Sequence, residues 1–411
     1  MKAISFLGIT DYKETTYVWE GHEFRTRFFG ETLPHFFPEL DRVLVFVTPT
    51  VQQHSNLAEL QHRLGGLLHP VPIPEGHSEG ELWEIFDALT GSVSEQEMVI
   101  FDITNSFRSI PLLVFLAAAY LRTARRVKVH RVIYGAWEAR DKEVDHSPVF
   151  DLTPFVTLLD WLTATNQFIY TGDARYLAHL LTAEGQKRGS NALKEAGEHL
   201  QDLSLGMMLC RPLEVMEQAG KTGKALAKAE TDLAQWAHPF GLLTQRIQEE
   251  YAARALRSPT AAENVEQNLR HQFALIRWYL DNNQVIQAMT LAREWGVTVV
   301  GWKLGRGFLL DLKERAKVEQ ALSGLIRIGR VQEDGNCFDV NDLNDEGRVL
   351  WEWPEREVLC DLWNHLTAVR NELDHAGMNP GPMKAAKLVR KAREEVWPRL
   401  EELARTWGLG T

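Results

Sequence analysis

The chain changes its hydrophobic pattern near residue 153. Before that point, short runs of consecutive apolar residues alternate with stretches of helical spacing. "KAISFLGIT" and "RVLVFVTPT" are β-rich runs ending in turn-prone residues; "VQQHSNLAELQHRLGGLL" follows with helical spacing and a Gly-Gly stop. Then come "HPVPIP", a helix around "GELWEIFDALTGSV", the strand "EMVIFDIT", the apolar helix "IPLLVFLAAAYL" and "RVKVHRVIYGAWEA". Strands alternating with helices imply βαβ units and a parallel sheet. Near-continuous apolar strands imply helices on both faces. Residues 1–153 are therefore expected to form a Rossmann-like α/β domain.

From Pro154 the strand signals largely vanish. "TPFVTLLDWLTATNQFIYTG", "DARYLAHLLTAEGQKRG", "NVEQNLRHQFALIRWYLDNN" and "QVIQAMTLAREWGVTVVGW" carry i, i+3, i+4 apolar periodicity and close on Gly or Asn punctuation. Residues 154–411 are expected to be all-α, with "GRVQEDGNCFDVNDLNDEG" as a polar surface insertion near 328–350. No internal repeat is evident.

Composition narrows the class. At 411 residues, 45% apolar and 25% charged, the chain reads as a globular protein of two domains. Cys210, Cys337 and Cys360 show neither metal-ligand spacing nor a disulfide framework, which suits a reducing cytoplasm. "MKAISFLGIT" reads as a strand rather than a signal peptide, and the apolar run at 110–121 is too short to span a bilayer. No membrane partner is expected. A net charge of −11 argues against wrapping duplex DNA but leaves room for a small, locally basic RNA site. No dinucleotide or P-loop fingerprint follows any strand, and the histidines lack metal-ligand spacing, so no metal site is expected.

Ligands of an open parallel sheet bind outside the carboxyl ends of its strands. Three stretches fall there: "GITDYK" with Gly8, Thr10 and Asp11; "TPT" with Thr48 and Thr50; and "DITNSFRSIP" with Thr104, Asn105, Ser106, Phe107 and Arg108. In the last, Ser109 can cap a helix that carries Pro111 early, and its free N–H groups would face an anion. The plain alternative is a capped strand-to-helix turn. A second candidate is R-x4-H. With 30 Arg in the chain, chance gives about one such spacing, and two occur, Arg125/His130 and Arg370/His375. The first straddles a helix end and the next strand and reads as coincidence. The second precedes "AGMNPGP", so His375 falls in or near a last helical turn.

"FDITNSFRSIPLL" resembles the strand-loop-helix signature of CRISPR-associated proteins with a CARF sensor domain, whose usual form is close to D-I-T-H-G-F-R-S-x-P, with Asn105-Ser106 here where His-Gly is common. "VFDLTPF" and "NNQVIQAMTLAREW" also look like stretches of this family, and "AVRNELDHAG" is similar to the R-x4-6-H motif of HEPN ribonucleases. The four occur in the family's order over most of the chain.

The resemblance implies an N-terminal CARF domain binding a cyclic oligoadenylate through the three strand-end loops. It also implies a C-terminal HEPN domain cutting single-stranded RNA, and a homodimer with both sites on its two-fold axis. Cyclic tetra-adenylate is the activator favoured by the resemblance; cyclic hexa-adenylate shares the required symmetry. RNA carries its own nucleophile, so cleavage needs proton transfer and charge stabilisation with no obligatory metal. His375 suits the proton transfer. Arg370 suits the phosphorane charge. Asn371 either orients a phosphate oxygen or the histidine ring, or is plain helix surface. Arg293 and Glu294 read as an ion pair, and Trp295 as core. Two alternatives remain: a catalytically silent sensor scaffold, and a constitutive toxin-like ribonuclease.

Overall fold

The computed structural model describes every residue except 107–108, 237, 332–336 and 411, and every side chain outside those and 234–243. Phe107 and Arg108 therefore lie outside the described residues. The chain divides into two compact units, Met1–Asp160 and Trp161–Thr411.

In the first unit the strands are β1 (Lys2–Phe6), β2 (Thr15–Trp19), β3 (His22–Thr26), β4 (Arg42–Val47), β5 (Leu68–Pro72), β6 (Met98–Asp102), β7 (Lys128–Gly135) and β8 (His146–Asp151). They form one sheet in the order β3-β2-β8-β7-β6-β1-β4-β5. The run β5-β4-β1-β6-β7 is parallel throughout. However, β7–β8 and β2–β3 pair antiparallel, so the sheet is mixed where sequence pattern predicts a parallel one. The added hairpin turns at Glu20 and Gly21, with φ of 48° and 85°. Such a tight turn needs two left-handed residues, and Glu-Gly is a weaker signal for it than Asn-Gly. At the far edge, β5 tolerates Pro70 and Pro72 because an edge strand can spare N–H donors.

Helices α1 (Phe29–Phe36), α2 (Pro49–Gln52), α3 (Ser55–Leu64), α4 (Glu79–Gly91) and α5 (Ile110–Ala124) cover the sheet. Alternate residues of one strand enter opposite cores. Val43, Val45 and Val47 of β4 join Phe29, Leu33 and Leu60, whereas Leu44 and Phe46 join Ile85, Leu89 and Val114. Burial on both faces produces the continuous apolar runs of β1 and β4. Ser109 occupies the N-cap of α5, but its side chain makes no cap hydrogen bond; Pro111 sits in the first turn.

Helix α6 (Thr153–Thr171) carries the chain into the second unit, which continues with α7 (Arg175–Arg188), α8 (Asn191–Met208), α9 (Pro212–Trp236) and α10 (His238–Ala252). There follow α11 (Val265–Asp281), α12 (Val285–Lys303), α13 (Leu312–Leu325), α14 (Asp345–Trp351), α15 (Arg356–Asp374), α16 (Ala385–Lys391) and α17 (Trp397–Thr406). Trp295 is fully buried and donates its indole N–H to Leu269 O at 3.0 Å, so it is core. The polar stretch near 328–350 is irregular only in part. Asn344 caps α14 by accepting from Gly347 N at 2.9 Å, and buried Leu343 anchors the approach. Among the described residues no helix is long and apolar enough to cross a membrane.

Candidate functional site

The sheet order sets where the first unit can hold a ligand. After the β2–β3 hairpin at one edge of the sheet, the chain adds β4 and β5 on one side of β1 and then β6 and β7 on the other. The reversal lies between β1 and β6, and a crevice outside their carboxyl ends is the expected ligand position. A cleft of about 280 Å³ opens there. It is lined by Thr10 and Asp11 after β1 and by Thr104, Asn105 and Ser106 after β6, which are five of the ten expected ligand residues. Tyr12, Lys13, Tyr17, Arg27, Tyr134, Gly135, Trp137 and Glu138 complete the lining.

Local hydrogen bonds fix both loops. The carboxylate of Asp102, at the end of β6, accepts from Thr104 N at 2.8 Å and from Ser5 Oγ at 2.5 Å. Ser106 Oγ donates to Ile103 O at 2.7 Å and tightens the same turn. Thr104 Oγ1 accepts from Gly135 N at 2.8 Å, tying the turn to β7. The β1 loop is held by Asn56, whose Nδ2 donates to Gly8 O and Thr10 O, each at 3.0 Å. Gly8 donates its N–H to Tyr12 Oη at 2.8 Å, and a Cβ at Gly8 would stand 2.9 Å from that oxygen. Gly135 is equally constrained, because a Cβ there would come within 2.4 Å of the Phe29 ring.

The electrostatics are mixed. Lys13 and Arg27 bring positive charge to the cleft, and Asp11 and Glu138 bring negative charge. Arg27 pairs with Glu59 and lies 4.6 Å from the Phe28 ring centroid. Behind the cleft, full burial pushes the Asp102 carboxyl up to about 6, against the opposing effect of its Ser5 and Thr104 hydrogen bonds. Burial also raises the Tyr12 phenol.

Thr48 and Thr50 do not line this cleft. Thr48 is buried at the start of α2, and Thr50 N donates to Glu75 Oε1 at 2.9 Å. Hydrogen bonds from Thr50 and Thr48 hold the Glu75 carboxyl below its usual range. Gly8 stands behind the lining as a backbone anchor. The loop after β7 was not anticipated, although "YGAWE" ends a predicted strand and obeys the same carboxyl-end rule.

In the second unit, Arg370 lies on α15 and His375 is the C-cap residue of that helix. Met378 N donates to His375 O at 2.7 Å, and Ala376 and Gly377 take positive φ, which stops the helix. Glu372 steadies the next loop by accepting from Met383 N at 2.9 Å and Asn379 Nδ2 at 3.2 Å. His375 and Asn371 are exposed, and no described residue hydrogen-bonds the His375 ring. Arg370 pairs with Asp374 at 3.1 Å. Five helical steps turn His375 about 140° from Arg370, so the two do not share a face.

Arg370 does have a cationic neighbour. Arg293 of α12 packs its guanidinium 5.6 Å from the Trp363 ring centroid of α15. Partial burial, then the like charge of Arg370, depress the Arg293 guanidinium. Glu294 and Glu319 pair with Arg293, and Glu294 also binds Arg315 at 2.6 Å. Arg293 and Glu294 thus form the ion pair that sequence predicts, placed against the Arg370 helix. Among the described residues, no group of three or more His, Cys, Asp or Glu side chains is arranged to hold a metal.

Two comparisons show what the chain is similar to. Residues 157–256 match the family model for the second domain of CRISPR-associated protein MJ1674. Over 311 residues, 75% of this chain, the sequence is 25% identical to CRISPR-associated protein MJ1674 of Methanocaldococcus jannaschii. The matched stretch is 42% of that relative, so the chain spans less than half its length. The chain's likeness in sequence is to a CRISPR-associated protein.

Proposed function

We propose that the chain is a cytoplasmic, cyclic-oligoadenylate-activated ribonuclease of CRISPR antiviral defence, working as a homodimer. The observation that carries the sensor half is the convergence of the β1 and β6 loops on one cleft at the point where strand order reverses. The cleft offers loop amides, hydroxyls and two cations, which suit phosphates and adenine edges without a strongly basic chain. An even-membered ring, cyclic tetra-adenylate foremost, would meet two copies of the cleft across a two-fold axis. Leu112, Leu116 and Tyr120, exposed at i, i+4 and i+8 on α5, give the first unit an apolar stripe for such a partner.

The nuclease half rests on Arg370 and His375. In this reading the substrate's 2′ oxygen attacks the adjacent phosphorus while His375 takes its proton. The P–O5′ bond breaks, and the leaving 5′ oxygen takes a proton from the partner protomer's equivalent histidine. Arg370 holds the phosphorane charge. Asn371 orients a phosphate oxygen. Because no single face holds both groups, the composite cleft of a dimer completes the set. The products are a 2′,3′-cyclic phosphate and a 5′ hydroxyl.

The test is cleavage of single-stranded RNA with EDTA present, followed by end-group analysis. Unchanged cleavage leaving a 2′,3′-cyclic phosphate is expected. Strict dependence on added magnesium or manganese would overturn the mechanism.

A further inference from the structure

A second cleft, also of about 280 Å³, lies within the helical unit between the α8–α9 junction, α11, α12 and the segment 308–315. Leu291, Phe308 and Leu310 give it apolar walls. Its polar groups can be followed one by one. Asn268 Nδ2 donates to Pro259 O at 2.7 Å, so Asn268 Oδ1 is an acceptor, and Gln272 Nε2 donates to it at 2.6 Å. That orientation leaves Gln272 Oε1 as the acceptor, with no hydrogen bond from any described residue, on a side chain only 3% exposed that lines the cleft. The Arg315 guanidinium is spent on Glu294, Thr298 and Leu309, and the Glu294 carboxylate is paired in turn. Arg211 also lines the cleft; it is exposed and has no ion pair among the described residues.

What is left unspent is one acceptor on a largely buried side chain and one exposed cation, with apolar surface around them. A volume near the low end of small-molecule sites suits one planar heterocycle. We infer that this cleft takes a single nucleotide whose base carries an exocyclic amino group, the amine donating to Gln272 Oε1 and the phosphate meeting Arg211. Resting on the ribonuclease reading above, that nucleotide belongs to the RNA chain. The cleft shares α12 with the Arg370 neighbourhood, since its wall residue Glu294 adjoins Arg293. The site would then discriminate cytosine from uracil beside the cut, because a carbonyl in place of the amine would face the Gln272 oxygen.

The test is titration calorimetry of the full chain with adenosine monophosphate and purine riboside monophosphate, which differ only by the exocyclic amine. One lost hydrogen bond predicts at least about a five-fold preference for adenosine. The preference should vanish in Gln272→Leu and in Leu310→Glu, the latter at an exposed position that spares the core. Arg211→Ser should weaken both ligands and leave their ratio unchanged. Equal binding of the two nucleotides, or a preference that survives both cleft variants, overturns the site. A parallel arm cleaves RNA oligonucleotides differing by one cytosine-to-uracil change. A cytosine preference lost in Leu310→Glu supports substrate recognition; a nucleotide preference without any cleavage preference overturns it in favour of a free nucleotide. The calorimetry needs no cleavage, so its failure is separable from failure of the ribonuclease reading.

Discussion

His375 and Asp102 are the two side chains at which the account meets its sharpest single-residue tests. His375 is exposed at a helix end with a ring that no described residue binds, so its loss removes little packing. His375→Ala should fold, dimerise and bind the activator as before, while RNA cleavage falls by about 10²–10⁴-fold. Cleavage at the wild-type rate would dismiss the catalytic assignment. Asp102 is different, because it is fully buried with a carboxyl pushed from the ordinary 3.8 to about 6. Its folded pKa is raised, so the folded protein holds the proton more tightly than the unfolded chain. Stability is therefore greatest below the unfolded value and declines as pH rises through the folded one. Asp102→Asn can keep both hydrogen bonds, since an amide oxygen accepts from Thr104 N and an amide N–H donates to the Ser5 hydroxyl. Wild type should lose on the order of 2 kcal/mol relative to this variant between pH 4 and 7. Denaturant midpoints measured across that range should diverge; parallel curves would remove the burial argument.

At the scale of elements, the α3 start acts as a clamp on the β1 loop. Asn56→Ala would strip the Gly8 and Thr10 carbonyls of a shared donor, costing about 1–3 kcal/mol and loosening one wall of the cleft. The activating concentration of cyclic oligoadenylate should rise several-fold, with the saturated cleavage rate little changed. An unaltered activation curve would mean that the loop is not part of the sensor. The central strands were legible because two-sided burial writes them as unbroken apolar runs. The β2–β3 hairpin was not, since its Glu20-Gly21 turn lacks the strongest turn residues. Sequence groups Thr48 and Thr50 with the other strand-end residues because it marks strand ends without ordering the strands, and they do not line the cleft. In the sheet β4 lies one strand beyond the reversal, and its end faces Glu75. For the same reason Tyr134 to Glu138, beyond β7, were missed. At the other site, spacing located the end of α15 at His375, but the approach of Arg293 to Arg370 depends on how α12 packs on α15, which no local pattern encodes.

For the molecule as a whole, a chain of net charge −11 cannot recruit RNA through bulk attraction. In the proposed ribonuclease, RNA binding would rest on local cations such as Arg370, presented to substrate in one of two states. A messenger bound in the first unit can favour that state only by binding it more tightly, and a 10⁴-fold difference would move an equilibrium from about 1:99 to 99:1. The most direct test is cleavage of single-stranded RNA by the full chain across a panel of cyclic oligoadenylates, paired with calorimetry of each ring. The account predicts binding and cleavage with an even-membered ring, cyclic tetra-adenylate first, and little cleavage without one. Equal cleavage with and without every ring, or no ring bound at all, would contradict it.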